Sequence, residues 1–334
     1  MAIDPEALAI SQKIKQRMME LKHPPLSELD NLDAVEARYF FHEGNKLYDL
    51  HLEAGVDFED RQIERLNSPP LNIRIYHTTK AQQNSDQDTV TSLPILVYLQ
   101  GGGWVFGTLD SADDTCSFLA KYTECIVISV DYRHAPEHKY PLPIIDAIDA
   151  TKWVYKNAVN LGGDHNRIVL GGESAGGNLA AVASIKLRDE GKIPLAGQLL
   201  ITPVTQYGFE TPSYKSGHRC GLSPEAMHWF WHNYLESSTQ VEKWEVSPLK
   251  VRDASNLPPT VMVVAEHDPL CDEGLMYAER LKVSGNSVKI LQYPSLIHGF
   301  IRLTHKVKTA KVAFHEIAEN LKSLCYQTEF SKSI

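Results

Sequence analysis

The chain has 334 residues, and its 33 lysines and arginines against 42 aspartates and glutamates leave a net charge of −9 at pH 7. At about 150 residues per domain this length makes one domain or two. The 43% hydrophobic and 22% charged fractions fit a globular protein that buries a core without disulfide or metal staples. The acidic balance excludes a chain built for non-specific nucleic-acid binding, which needs clustered cations, and it disfavours docking on anionic lipid.

The start predicts a helix. Asp4 is placed to cap it, Pro5 to occupy its first position, and Ile10, Ile14, Met18 and Leu21 to form its apolar face. Pro24 and Pro25 end it. Residues 30–66 read as helical and mixed, without a clear motif. From Leu71 the pattern changes to an alternating strand, and Lys80–Ser92 is polar and reads as an exposed loop. Short apolar runs follow at 95–99, 125–130, 167–170, 198–201, 260–264 and 288–293. Helical patterns over 111–122, 143–158, 175–190, 273–284 and 306–325 separate most of them. Runs of this kind suit strands buried on both faces. Their alternation with helices predicts an α/β fold: a mostly parallel central sheet with helices on both sides. One connection is too long for a simple crossover. About fifty residues between the strands near 200 and 260 include the aromatic run Met227-His-Trp-Phe-Trp-His-Asn-Tyr-Leu, so this insertion should have structure and work of its own.

The cysteines speak to compartment. Cys116, Cys125, Cys220, Cys271 and Cys325 are odd in number and never at C-x-x-C spacing, unlike a disulfide framework or a structural zinc site. The opening Met1-Ala-Ile-Asp-Pro-Glu places a charge where a signal peptide builds its apolar core. No apolar stretch approaches the roughly 18 residues of a membrane span. The expectation is a cytoplasmic chain with no membrane span.

The chemistry concentrates at strand ends. Gly172-Glu173-Ser174-Ala175-Gly176 matches G-x-S-x-G between a strand and a helix. That setting exposes a serine Oγ on a tight turn and aims helix N–H groups at developing negative charge. Gln100-Gly101-Gly102-Gly103-Trp104 also follows a strand. Its glycines let backbone N–H groups turn inward as oxyanion donors, each contributing roughly 3–4 kcal/mol to transition-state stabilisation. Nucleotide readings of these glycines fail. Gly172 and Gly177 have P-loop spacing, but Asn178 and Leu179 follow, and the G-x-G-x-x-G begun by Gly101 ends on Phe106. A nucleophilic serine needs a base and an orienting carboxylate. Asp268 and His298 stand just past the strands at 260–264 and 288–293, on the sheet edge where ligands bind. The order Ser174, Asp268, His298 is that of α/β-hydrolases. His267, Asp272 and Glu266 are the rival partners.

These blocks resemble the hormone-sensitive-lipase family of α/β-hydrolases, a group of carboxylesterases and lipases. The similarity runs over about residues 71–325 and rests on the Gly-Gly-Gly-Trp loop, Asp131-Tyr-Arg-His-Ala-Pro-Glu-His, Gly172-Glu-Ser-Ala-Gly-Gly, Asp268-Pro-Leu-Cys-Asp-Glu and His298-Gly-Phe. It implies Ser174 as nucleophile, His298 as general base, Asp268 as its partner, and the N–H groups of Gly102, Gly103 and Ala175 as oxyanion hole. It also implies an α/β-hydrolase domain over 51–334, with a helical cap formed by residues 1–50 and an insertion at about 205–255. Family members often pair as homodimers through the sheet edge. The family's glycine loop begins with His where this chain has Gln100, which can still donate and accept hydrogen bonds. Gln100→His is therefore expected to leave kcat unchanged or raise it.

Trp104, Trp229 and Phe230 are the aromatic candidates for a substrate pocket; packing the cap is the other role open to the aromatic run. His228 and His232 are four residues apart, but Trp229 stands where a zincin has Glu, and no metal site is expected. Nothing marks Cys271 as a nucleophile, and Asp131, Tyr132 and Arg133 should brace the loops under the site. The expected function is a serine carboxylesterase of short- to medium-chain acyl esters, acting on a small ester without a cofactor. A non-catalytic small-molecule receptor on the same fold, as in the gibberellin receptors that lack the histidine, and an amidase or formamidase with the same triad are the alternatives.

Overall fold

The computed structural model describes residues 1–24, 32–66, 68–78, 92–216 and 220–326. Eight strands form one sheet: β1 (Val56–Ile63), β2 (Leu71–Thr78), β3 (Leu93–Leu99), β4 (Ile126–Val130), β5 (Gly163–Glu173), β6 (Gly197–Ile201), β7 (Thr260–His267) and β8 (Val288–Ile297), in the order β1-β2-β4-β3-β5-β6-β7-β8. β2 runs antiparallel to β1 and to β4. Every other neighbouring pair is parallel. The helices are α1 (Pro5–Glu20), α2 (Ala34–Asn45), α3 (Asp113–Thr123), α4 (Leu142–Asn157), α5 (Ala175–Glu190), α6 (Pro212–Ser216), α7 (Pro224–Tyr234), α8 (Cys271–Val283) and α9 (Lys308–Tyr326).

The apolar runs are continuous because the sheet is covered on both faces. In β3, Ile95, Val97 and Leu99 join a core with α4, α5 and α8, while Leu96 and Tyr98 join another with α3 and α9. β1 departs from the sequence expectation of helix. Only its end residues Val56 and Ile63 are buried, so an exposed edge strand carries a polar sequence without the alternation that marks a half-buried one. The polar loop expected over Lys80–Ser92 lies, Ser92 apart, outside the described residues.

The N-terminal helices tie distant parts of the chain together. Asp4 caps α1 by accepting from the N–H groups of Glu6 (2.8 Å) and Ala7 (3.3 Å), and its other oxygen accepts from the Thr309 hydroxyl, in the first turn of α9, at 2.6 Å. α2 reaches across to the loops at the strand ends. Arg38 donates to the carbonyls of Val105 (3.0 Å) and Ala135 (2.9 Å) and forks onto Glu137 (2.8 and 2.6 Å). The guanidinium holds the Glu137 carboxyl down at about 2. The long insertion carries α6 and α7, and Trp229 of α7 donates its indole N–H to the Leu32 carbonyl at 3.0 Å. Among the described residues no helix is long and apolar enough to cross a membrane.

Candidate active site

The parallel strands deliver the singled-out residues to one edge. The glycine loop follows β3, Ser174 follows β5, Asp268 follows β7 and His298 follows β8. Ser174 sits in the sharp turn between β5 and α5 at φ 56°, ψ −119°, a strained conformation that persists because its surroundings fix it. Its N–H donates to Ile201 O at 2.9 Å and its carbonyl accepts from Asn178 N at 3.0 Å. The turn tolerates no side chain at Gly176, where a Cβ would run into the Leu99 carbonyl of β3. A register shift between Ala265 and His267 precedes Asp268, a local kink of the kind that re-aims side chains beside active sites.

Three side chains meet in a chain of hydrogen bonds. His298 Nδ1 lies 2.7 Å from Asp268 Oδ2, and His298 Nε2 lies 3.0 Å from Ser174 Oγ. A carboxylate only accepts, so Nδ1 carries the proton and Nε2 is left to accept from the serine hydroxyl. Asp268 is fully buried, and its second oxygen accepts from the Leu270 N–H at 2.8 Å. Burial by itself would lower the proton affinity of His298; the charge and hydrogen bond of Asp268, with a contribution from Glu173, outweigh it and hold the imidazole above its ordinary value. As the expected base, His298 would act only when unprotonated. The acid limb of kcat/KM should therefore fall with decreasing pH through a midpoint above the ordinary histidine value of about 6.5. A pH profile with its midpoint at or below that value would contradict this geometry.

The rivals have other partners. His267 Nε2 lies 2.9 Å from the Met1 carbonyl, Glu266 pairs with the Met1 amino group at 3.2 Å, and Asp272 accepts from Ser213 N at 2.8 Å. Burial, then the nearby charges of Asp268 and Asp272, push the Cys271 thiol up to about 12, leaving it a poor nucleophile. His228 stacks on Phe209 at 3.7 Å, and the His232 carbonyl accepts from Lys139 Nζ at 3.1 Å.

The glycine loop is shaped by close packing. Gly102 and Gly103 adopt φ 124° and 60°, and a Cβ on Gly103 would collide with the Phe230 ring. Phe230 is half-buried. Trp104 is fully buried and stacks on Tyr234 at 4.3 Å, while Trp229 is 4% exposed and bonded to Leu32. Of the three aromatic candidates, the structure thus brings Phe230 against the loop and packs the two tryptophans beneath and beside it. Tyr132 donates its hydroxyl to the Gln100 carbonyl at 2.9 Å, bracing the loop from below. The Gln100 amide is oriented by its surroundings so that its nitrogen donates to Thr108 O (2.6 Å) and its oxygen accepts from Thr108 N (3.2 Å). An imidazole can keep only one of these two bonds, so Gln100→His, expected from the sequence to leave kcat unchanged or raise it, should instead cost at most about tenfold. A loss of two decades in an ester assay would give Gln100 a direct role.

Three neighbours of these loops are not legible in the sequence: Glu173, Arg302, 3.6 Å from it, and Arg38, bonded to the Val105 and Ala135 carbonyls. Glu173 occupies the free position of G-x-S-x-G, and the two arginines reach the site only through folding.

A mostly parallel sheet with a serine, histidine and carboxylate at the C-terminal ends of its parallel strands, the serine on a strand–helix turn, defines the α/β-hydrolase class. A family model described as the alpha/beta hydrolase fold matches residues 96–302. Carboxylesterase NlhH of Mycobacterium tuberculosis is 36% identical over 260 residues, 76% of this chain and 79% of its own. Ethyl acetate hydrolase of Pseudomonas putida is 31% identical over 96% of this chain and 99% of its own. Among solved structures, a hyperthermophilic esterase from Pyrobaculum calidifontis superposes with a TM-score of 0.85 at 33% identity, covering 97% of this chain and 99% of that one. The chain belongs to the α/β-hydrolase family of hormone-sensitive-lipase-like esterases. It is a carboxylic ester hydrolase.

Proposed function

We propose that this esterase hydrolyses short- to medium-chain acyl esters through an acyl-enzyme on Ser174. The observation that carries the reading is the unbroken Ser174–His298–Asp268 chain, with contacts of 3.0 and 2.7 Å. Ser174 Oγ attacks the ester carbonyl as its proton passes to His298 Nε2, and the imidazolium formed is stabilised by Asp268. The carbonyl oxygen becomes an oxyanion that the N–H groups of Gly102, Gly103 and Ala175 receive. Collapse of this intermediate breaks the C–O bond to the alcohol, which leaves with the proton from His298. Water then attacks the acyl-enzyme, giving its proton to His298, and the acid is released as Ser174 regains a proton.

Phe230 against Gly103 supports a limited acyl pocket with this ring as one wall; Trp104 and Trp229 are then packing residues. The Trp229–Leu32 bond, which joins the two parts, and the Arg38 bonds to the Val105 and Ala135 carbonyls, which seat α2 over the loops, support a cap formed by residues 1–50 and about 205–255. The five cysteines are free and buried, which supports work in a reducing compartment such as the cytoplasm. The test is a p-nitrophenyl ester series from acetate to palmitate on wild type and Ser174→Ala. Wild type should be fastest on the shorter chains and Ser174→Ala inactive throughout. Activity surviving in Ser174→Ala would overturn the nucleophile assignment, and inactivity of wild type on every ester would favour a receptor.

A further inference from the structure

The catalytic loops carry a second pair of opposite charges that the triad chemistry does not use. Glu173 directly precedes Ser174, and its side chain is 4% exposed; Arg302 lies four residues past His298 and is 14% exposed. Arg302 Nη2 stands 3.6 Å from Glu173 Oε2. On its other side Arg302 faces α2: Nη1 donates to Asn45 Oδ1 at 3.4 Å, and the guanidinium carbon lies 5.1 Å from the centre of the Phe41 ring. Phe41 in turn stacks on Phe106 at 4.8 Å, and the Phe106 carbonyl packs against Gly102. The Glu173 carboxylate fills the space beside Gly101 and faces Gly299, next to His298; ideal Cβ atoms there would stand 2.6 and 3.8 Å from its oxygens. One ion pair therefore joins the nucleophile turn, the histidine loop, the glycine loop and the N-terminal helix pair.

We propose that Glu173 and Arg302 are positioning residues: a balanced ion pair that clamps α2 onto the nucleophile turn while adding little net field of its own at His298. The proposal rests on the reading of Ser174 and His298 as nucleophile and base. A lone buried carboxylate beside an imidazole stabilises the imidazolium and withdraws the base at neutral pH. A lone guanidinium does the opposite and weakens the base. The pair supplies the buried contact while cancelling most of its own field. Asp268, Glu173 and Arg302 are the charged groups acting on His298; Asp268 and Glu173 favour its charged form and Arg302 disfavours it. The Glu173 charge bears on the phenols of Tyr48, Tyr98 and Tyr132. Burial raises all three phenols, so they stay neutral through the range in which a histidine titrates.

The two charges have opposite signs at His298, so their removal must move the acid limb of kcat/KM in opposite directions. With a p-nitrophenyl ester, Glu173→Gln should lower the acid-limb midpoint by roughly half a unit or more, and Arg302→Met should raise it by a similar amount. The double variant should return near wild type, and Arg302→Lys, which keeps the charge, should stay there. Hydrogen exchange across residues 34–45 should quicken most in Arg302→Met, which loses the contacts to Asn45 and Phe41, and less in Glu173→Gln, which loses only the pairing charge. A merely structural pair would lower activity alike in both single variants without moving the midpoint, and that result would overturn the proposal. If Arg302→Met fails to fold, an unmoved midpoint in Glu173→Gln is enough to overturn it. Failure of the underlying triad reading would show separately, as activity retained in Ser174→Ala.

Discussion

Ser174→Ala and Asp268→Asn should each lower kcat on a p-nitrophenyl ester by about four to six orders of magnitude, with the protein still folded. The two losses have different causes. In the proposed mechanism Ser174→Ala removes the atom that forms the acyl bond, leaving only binding and the oxyanion donors, which by themselves accelerate hydrolysis about 10³–10⁴-fold over water. Asp268→Asn keeps the shape but offers Nδ1 an amide in place of a carboxylate. An amide nitrogen facing Nδ1 turns the imidazole to the wrong tautomer, with its proton on Nε2, where it cannot accept from Ser174 Oγ. Because the charge of Asp268 also raises the proton affinity of His298, the residual activity of Asp268→Asn should titrate at lower pH than wild type. Residues acting as one unit are not additive. Ser174→Ala combined with His298→Ala should be no slower than Ser174→Ala alone, and a further large loss in the double variant would show that His298 serves a second step.

The largest effect on stability should come from Asp146→Ala, at about 3–5 kcal/mol. Asp146 is fully buried between two guanidiniums, Arg65 at 5% exposure and Arg133 at 15%. Its carboxylate accepts from the Arg133 backbone N–H at 2.8 Å and from Arg133 Nη2 at 2.7 Å, and it pairs with Arg65. Removing it leaves two cations with little water around them; Asp149, 3.3 Å from Arg65, compensates only one. Thermal melting should fall by upward of roughly 5 °C. Asp146→Asn, which retains shape and some hydrogen bonds, should lose less. Arg133 follows Tyr132, whose hydroxyl holds Gln100, so activity should drop in Asp146→Ala even at temperatures where the protein stays folded. A melting temperature within 1–2 °C of wild type, on the order of 0.5 kcal/mol, would mean that Arg65 and Arg133 find other partners.

Much of this was legible because strand–helix alternation and strand-end motifs are local patterns. The runs at 95–99 and 260–264 became β3 and β7 because both faces of each are buried, and parallel order then places Ser174, Asp268 and His298 together without further information. What was illegible depends on contacts between remote segments. β1 carries a polar sequence because its neighbours are β2 on one side and solvent on the other. Trp104 and Trp229 are open in a sequence to a core or a cleft, because an aromatic side chain suits both; the stack on Tyr234 and the bond to Leu32 are contacts that only folding supplies. Arg302 has no motif around it that points to Glu173, 129 positions earlier in the chain.

The central claim is that Ser174 becomes covalently acylated. Its most direct test is intact-mass measurement and peptide mapping after reaction with a p-nitrophenyl phosphonate, which traps a nucleophilic serine as a stable ester. One adduct per chain should form with release of one p-nitrophenol, map to Ser174, and be absent from Ser174→Ala. An adduct on another residue, or equal labelling of Ser174→Ala, would contradict the account.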